Sequence, residues 1–346
     1  MQLRELSQLV LDSITHIALG ACIGEIYAGR SLGKKALAAG AVAQTIPDFD
    51  FIASFWLNPA NDLLAHRGFT HSILFVALTA YPLALILSRW RWSSGLNISG
   101  WAWLITIELC THLFLDAFNA YGTAWFEPFS HTRISFNSLF VADPLFSIIP
   151  ITVMVALFLF PEGHKSRVRW SAIAVIICSF YLIYSLINKK IVDKEVETSL
   201  EAQDLKYHRY FTTPTPGNVW LWYIVAESDS GYHIGYRSVF DSNESISFQY
   251  FERNDDLLEP VADHEDVQHL IRFSQGYYVV SQYENRWVFN DLRFGQMLGW
   301  EDPAAPFVFY YFLQHPNDNE LLIQRGRFSR WTTESIFSFA ERIWGT

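Results

Sequence analysis

Apolar residues in this chain are gathered into runs, and the length of those runs limits the possible folds more than any other feature. Four of them, at about 70–88, 101–119, 143–160 and 170–187, come close to the roughly 20 residues a helix needs to cross about 30 Å of hydrocarbon. A fifth, about 36–57, opens on the small-residue stretch ALAAGAVAQ, a composition that lets helices approach closely in a membrane. A sixth, about 13–29, is short and interrupted by Glu25. The expectation is a multi-pass α-helical membrane domain of about six spans, with the first the least apolar.

Charge divides the chain in the same place. Residues 1–189 hold 11 of the 35 Asp/Glu and 12 of the 25 Lys/Arg, and the remainder holds 24 acids and 13 bases. The front is near neutral and charge-poor; the back is strongly acidic. Bilayer for the first part and water for the second would account for this. The expected organisation is a membrane-embedded domain over 1–189, a polar helical linker over 190–204, and an acidic extramembrane domain over 205–346. In that last part FTTPTPGNVW reads as a turn-rich boundary. Strand-like runs such as VWLWYIVAES, YHIGYRSVF, SISFQYF, YYVVSQYE and RWVFNDLRF follow, with a helix near 264–273 and an aromatic helix near 332–344. This predicts a soluble, β-rich α+β unit.

The loops orient the spans. Arg30, Lys34, Lys35, Arg89, Arg91, Lys165, Arg167 and Arg169 fall in alternate loops, which must share one side, and the positive-inside rule makes that side cytoplasmic. The N-terminus and the acidic domain are then expected outside the cytoplasmic membrane; Lys189 and Lys190 fall on the wrong side for the scheme. Residues 1–12, carrying Glu5, read as an amphipathic segment with no cleavable leader. Cys22, Cys110 and Cys178 lie apart in apolar stretches and read as small hydrophobes. The acidic balance excludes nucleic acid as an expected partner.

Ionisable side chains inside a bilayer are costly, so those present carry a functional expectation. Here they cluster in Asp12-Ser13-Ile14-Thr15-His16, Pro47-Asp48-Phe49-Asp50, His66-Arg67-Gly68-Phe69-Thr70-His71-Ser72 and His112-Leu113-Phe114-Leu115-Asp116. Histidine and aspartate are the usual ligands of a divalent ion where no thiolate is at hand. His112 and Asp116, four apart, share one helix face, and Glu108 falls there a turn earlier, placed to orient His112. Of Asp48 and Asp50, one is expected to bind metal while the other holds a histidine or acts as base. Each motif also has a bland explanation. A lone helical histidine is more often a packing residue, Asp12 and Thr15 are suited to capping, and Pro47-Asp48 to a turn. His131 and Arg133 are suited to lipid headgroups. Four such motifs falling at one membrane depth favour the metal site. His208, His233, His264, His269 and His315, in the polar domain, match no metal spacing, and His164 belongs to a basic loop.

The runs DSITHIALGACIG, PDFDF, HRGFTHSILF and THLFLDAFNAYGTAWFEPFS, over about 12–160, resemble the YdjM/YbcI type of membrane-bound metal-dependent hydrolase. The PTPGNVWLWYIV entry is similar to a tail found in longer members. The resemblance implies a divalent metal, zinc foremost, and a hydrolytic reaction, and a distant similarity to zinc-dependent phospholipase C implies a lipid ester or phosphodiester as substrate. By position it points to His16, Asp48, Asp50, His66, His71, His112 and Asp116, of which His16, Asp50, His66, His71, His112 and Asp116 are expected to hold the metal. Asp48 would act as base, and Arg67 would pair with a substrate phosphate. Two other classes compete: a receptor or assembly protein with a structural metal, and a transporter with a His/Asp relay.

Overall fold

The computed structural model describes residues 6–90, 95–243, 245–283, 285–313, 319 and 331–345, with side chains from residue 12 onward. Glu5, Arg91 and His315 lie outside the described residues. The chain divides into two compact units. The first comprises 1–53, 65–136 and 141–184; the second comprises 54–64, 137–140 and everything from 185.

The first unit is helical. Helix α1 (Leu6–Leu32) and helix α2 (Lys35–Thr45) pack tightly along their glycines. A Cβ on Gly20 would stand 2.5 Å from Gln44 Cβ and 2.7 Å from the Gly40 carbonyl, so the small-residue stretch does bring two backbones together. Pro47, with no N–H to give, follows the end of α2, and the chain continues as the 3-10 segment Pro47–Phe55. Helix α3 (Pro59–Ala65) and the 3-10 turn Phe69–His71 lead into α4 (Ile73–Ser88), capped by Ser72, whose hydroxyl accepts from Phe75 N. Helix α5 (Ile98–Asp116) is capped by Asn97. Its Trp101, Leu104, Ile105 and Leu109 join Val76, Ala80 and Ala84 of α4 in one core. Helix α6 (Pro144–Leu159) starts on Asp143, which accepts from the Leu145 and Phe146 amides; Asp143 is thus a cap, apart from the other motifs. Helix α7 (Ser166–Ala202) runs on from this unit into the second.

Six spans are not supported. Among the described residues two helices, α5 and α7, are long and apolar enough to cross a membrane, and there are three candidates if the pair Pro59–His71 and Ile73–Ser88, bent by 57°, counts as one span. Run length overstates helix length for a physical reason. The 36–57 run is cut at Pro47, leaving an 11-residue helix. Helices α4 and α6 have 16 residues each, about 24 Å at 1.5 Å per residue. Helix α1 is long but carries Asp12, His16, Glu25 and Arg30. Glu25 is matched: Arg167 donates Nε to Oε1 at 2.8 Å and Nη2 to Oε2 at 2.6 Å, both residues being buried. Arg167 is therefore an internal partner, not a free loop charge.

In the second unit, β1 (Arg209–Pro214), β2 (Leu221–Glu227), β3 (Gly231–Ser238) and β4 (Phe248–Glu252) form an antiparallel sheet in that order. Its register pairs Ile224 with Gly235 and Phe211 with Val225. Helix α8 (Glu265–Phe273) precedes a second antiparallel sheet of β5 (Tyr278–Tyr283), β6 (Arg286–Asp291) and β7 (Tyr311–Phe312), and α9 (Thr333–Ile343) follows. The sheet-containing C-terminal unit agrees with the sequence reading. Strand β1 was hidden by its prolines; it is an edge strand, where Pro214 at the end breaks no ladder. The polar stretch 190–204 is helical through Ala202, as the end of α7. Val192, Val196 and Leu200 bury one face of it against Trp222, Ile224 and Ala226.

Candidate metal centre

All eight residues singled out as site residues lie in the first unit, on α1, the 3-10 segment Pro47–Phe55, the stretch 66–71 and α5. The local chain explains each placement. The break at Pro47 turns Asp48 and Asp50 out of helical register. Arg67, with φ at 57°, and Gly68 reverse the chain so that the next turn presents His71 inward while its backbone continues into α4. The i,i+4 spacing puts His112 and Asp116 on one face of α5, and Asp12 and His16 on one face of α1.

Four side chains converge. His71 Nε2 and His112 Nε2 lie 3.0 Å apart. Asp48 Oδ1 is 3.6 Å from the first and 3.4 Å from the second. Asp116 Oδ2 is 3.3 Å and 3.4 Å from the same two nitrogens. A tetrahedral ion with bonds of about 2.0–2.1 Å holds its ligand atoms about 3.3–3.4 Å apart. These five distances bracket that value, and this set of four could hold a metal ion. Asp12, His16 and Asp116 form a second such group sharing Asp116, whose Oδ1 lies 3.2 Å from His16 Nε2.

Two further observations fit a cation. Asp116 Oδ2, fully buried among three nitrogens, completes no hydrogen bond. In addition, four carboxylates gather here, Asp12, Asp48, Asp50 and Asp116, and the Arg67 guanidinium meets two of them, Asp12 and Asp116. Carboxylates gathered away from water are costly without cations beside them. A divalent ion would offset part of that cost.

Around the four, other residues fix positions. Asp50 stands behind His71: its Oδ2 accepts from the Arg67 amide at 2.8 Å and Thr70 Oγ1 at 3.2 Å, and lies 3.4 Å from His71 Nδ1. That leaves His71 Nε2 for the centre, the usual carboxylate–histidine arrangement behind a ligand. Asp50 Oδ1 meets His66 Nδ1 at 3.1 Å, so His66 touches Asp50 and stays out of both groups. Burial alone would raise the Asp48 and Asp50 carboxyls. The neighbouring His112 and His71 for Asp48, and His66 and His71 for Asp50, hold both below the usual carboxylate range.

Arg67, expected to meet a substrate phosphate, is buried, with Nη2 on Asp12 Oδ2 at 2.7 Å, Nη1 on Asn119 Oδ1 at 2.7 Å and Nε 3.3 Å from Asp116 Oδ2. It serves the protein's own carboxylates. Glu108 does not orient His112: with its amide turned to donate, Gln44 reaches Glu108 Oε2 and the Glu108 carbonyl, each at 2.7 Å. Of the residues suited to headgroups, His131 pairs with Glu127 at 2.6 Å, and Arg133 donates to the His66 carbonyl at 2.8 Å. Two contributors were missed. Asp12 looked like a helix cap, and its signal was the four-residue spacing to His16. Asn119 carried no signal.

A helical unit with His/Asp groups at its helix ends and two to three apolar helices able to span defines a membrane protein with a candidate metal centre. The chain belongs to the YdjM inner membrane protein family, which matches residues 11–192. The match ends before β1 and leaves the two sheets outside it. Among relatives, YfhP of Bacillus subtilis (strain 168), described only as uncharacterized, is 25% identical over 224 residues, 58% of this chain and 64% of YfhP. The inner membrane protein YbcI of Escherichia coli (strain K12) is 28% identical over 162 residues, 45% of this chain and 88% of YbcI. Both belong to the same family. The match thus spans just under two thirds of YfhP. No solved structure matches.

Proposed function

We propose that this protein is a membrane-bound metal-dependent hydrolase that cleaves an ester or phosphodiester bond of a lipid-like substrate at the outer surface of the inner membrane. The observation that carries the reading is the convergence of Asp48, His71, His112 and Asp116 at tetrahedral-ligand spacing. Two histidines and two carboxylates suit zinc. The chemistry such an ion supplies is Lewis acidity toward a phosphoryl or acyl oxygen and the acidification of water. The chain's own residues do the rest. Asp50 holds His71 in the tautomer that leaves Nε2 free. Arg67 contacts Asp12 and Asp116 together and fixes their positions. Asp48, with 22% of its side chain exposed against 1% or less for the other three, is the ligand open to substrate and water.

Position supports hydrolysis over transport. Asp116 is the last residue of α5 and His71 lies two residues before α4, so the centre sits at helix ends, whereas transport sites favour the middle of the bilayer. The test is direct. Full-length protein, purified in detergent and stripped with a chelator, is offered lipid esters and phosphodiesters before and after zinc is restored. Zinc-dependent cleavage that His71→Ala abolishes is the expected result. No cleavage of either bond class by zinc-loaded protein, or cleavage indifferent to His71→Ala, overturns the proposal.

A further inference from the structure

The segments that supply the centre also carry outward-facing aromatic side chains. In Pro47–Phe55 the site carboxylates alternate with exposed neighbours: Phe49 is 53% and Phe51 50% exposed on either side of Asp50. Phe69, two residues before His71, is 44% exposed, and Phe126 and Phe129 are 48% and 84% exposed. These segments are neighbours. Asp50 accepts from the Arg67 amide, Ala124 N donates to the Arg67 carbonyl, and Ile73 N donates to the Trp125 carbonyl. The aromatics therefore form one edge beside the centre.

That edge runs on into surfaces that a membrane protein turns to lipid. Ile73, Leu78, Tyr81 and Ile86 are exposed along α4, and Trp103 and Phe114 along α5. On its other flank stand exposed His131 and Thr132. Exposed aromatics between an apolar helix surface and a polar loop are the composition of a membrane–water interface. We infer that the edge of Phe49, Phe51, Phe69, Phe126 and Phe129 is seated in the interface of the bilayer that holds the protein, so that the centre opens at headgroup depth and takes its substrate sideways from the bilayer. The seating follows from exposure and continuity alone. The lateral capture of a lipid rests on the hydrolase reading as well.

The experiment separates the two. In a Cys110→Ser background, which leaves only the buried Cys22 and Cys178, nitroxide labels are placed at Phe51→Cys and Phe129→Cys, with a reference label at Ser230→Cys in the exposed turn between β2 and β3. The full chain is reconstituted in phosphatidylethanolamine/phosphatidylglycerol vesicles, and collision with oxygen is compared with collision with a water-soluble nickel complex. The edge labels should show an oxygen-to-nickel ratio several-fold above the reference. A ratio equal to the reference at both positions places the edge in water and overturns the inference. So does protection from both reagents, which means that protein covers it. A high ratio in protein that cleaves no lipid leaves the seating intact and refutes only the hydrolase reading. Phe129 is the safeguard on folding, since a side chain 84% exposed contributes almost nothing to the core.

Discussion

Asp50→Asn separates a positioning carboxylate from a ligand. The substitution keeps size and shape and removes the charge that Oδ2 presents to His71 Nδ1 at 3.4 Å and to the Arg67 amide at 2.8 Å. An asparagine oxygen can still accept one bond, but it no longer favours the proton on Nδ1 as a carboxylate does. Loss of the partner behind a metal-bound histidine typically weakens affinity about 10- to 100-fold, or about 1.4–2.7 kcal/mol. His71→Ala, which removes a donor atom outright, should cost more. The assay is competition with a chromophoric chelator on stripped, detergent-solubilised protein, reading both affinity and stoichiometry. A 10- to 100-fold weaker ion at unchanged stoichiometry is expected. Unchanged affinity refutes the positioning role. A loss as complete as that of His71→Ala refutes the assignment of Asp50 behind the centre and makes it a ligand.

Three other outcomes follow from the packing and the charge pattern. Glu25→Ala leaves the buried Arg167 guanidinium without its carboxylate and should cost about 3–5 kcal/mol, most of it regained by Glu25→Met with Arg167→Met; thermal unfolding in detergent reads both. Leu200→Ala empties space under β2 and should destabilise the second unit by about 2–5 kcal/mol, while exposed Lys194→Ala stays within about 0.5 kcal/mol; hydrogen exchange over β2 and β3 distinguishes them. Cysteines introduced near Ser230 and Asn243 should be labelled from outside intact cells and those near Lys34 and Lys165 should not; the opposite sidedness puts the second unit in the cytoplasm.

The chemistry of the centre was legible because histidine and aspartate have few reasons to appear in apolar segments, and because four-residue spacing on a helix fixes a shared face. That is enough for His112 with Asp116. It does not rank Asp48 against Asp50, which differ only in which side of a 3-10 turn they leave from. Nor does it separate His71 from His66: that choice is made at Arg67, where a left-handed backbone turns one histidine inward and leaves the other on Asp50. Arg67 looked free to bind phosphate because Asp12 and Asn119 lie 55 and 52 residues away in the chain. Span counting failed for a related reason. Hydropathy sums along the chain and does not register that Pro47 ends a helix partway through a run. The sheets were legible where alternation and turn formers agreed, as at Asp229-Ser230-Gly231 between β2 and β3. They were hidden at β1, where prolines marked a boundary and a strand at once.

Every role proposed for this centre requires that Asp48, His71, His112 and Asp116 hold an ion. X-ray absorption at the metal edge, with elemental analysis of the same full-length sample, measures this without knowing the substrate. The expected result is a divalent ion with two imidazole nitrogens and two carboxylate oxygens at about 2.0–2.2 Å, lost from His112→Ala with Asp116→Ala. Protein that takes up no ion when zinc is supplied, or that keeps a stoichiometric ion after both substitutions, contradicts it.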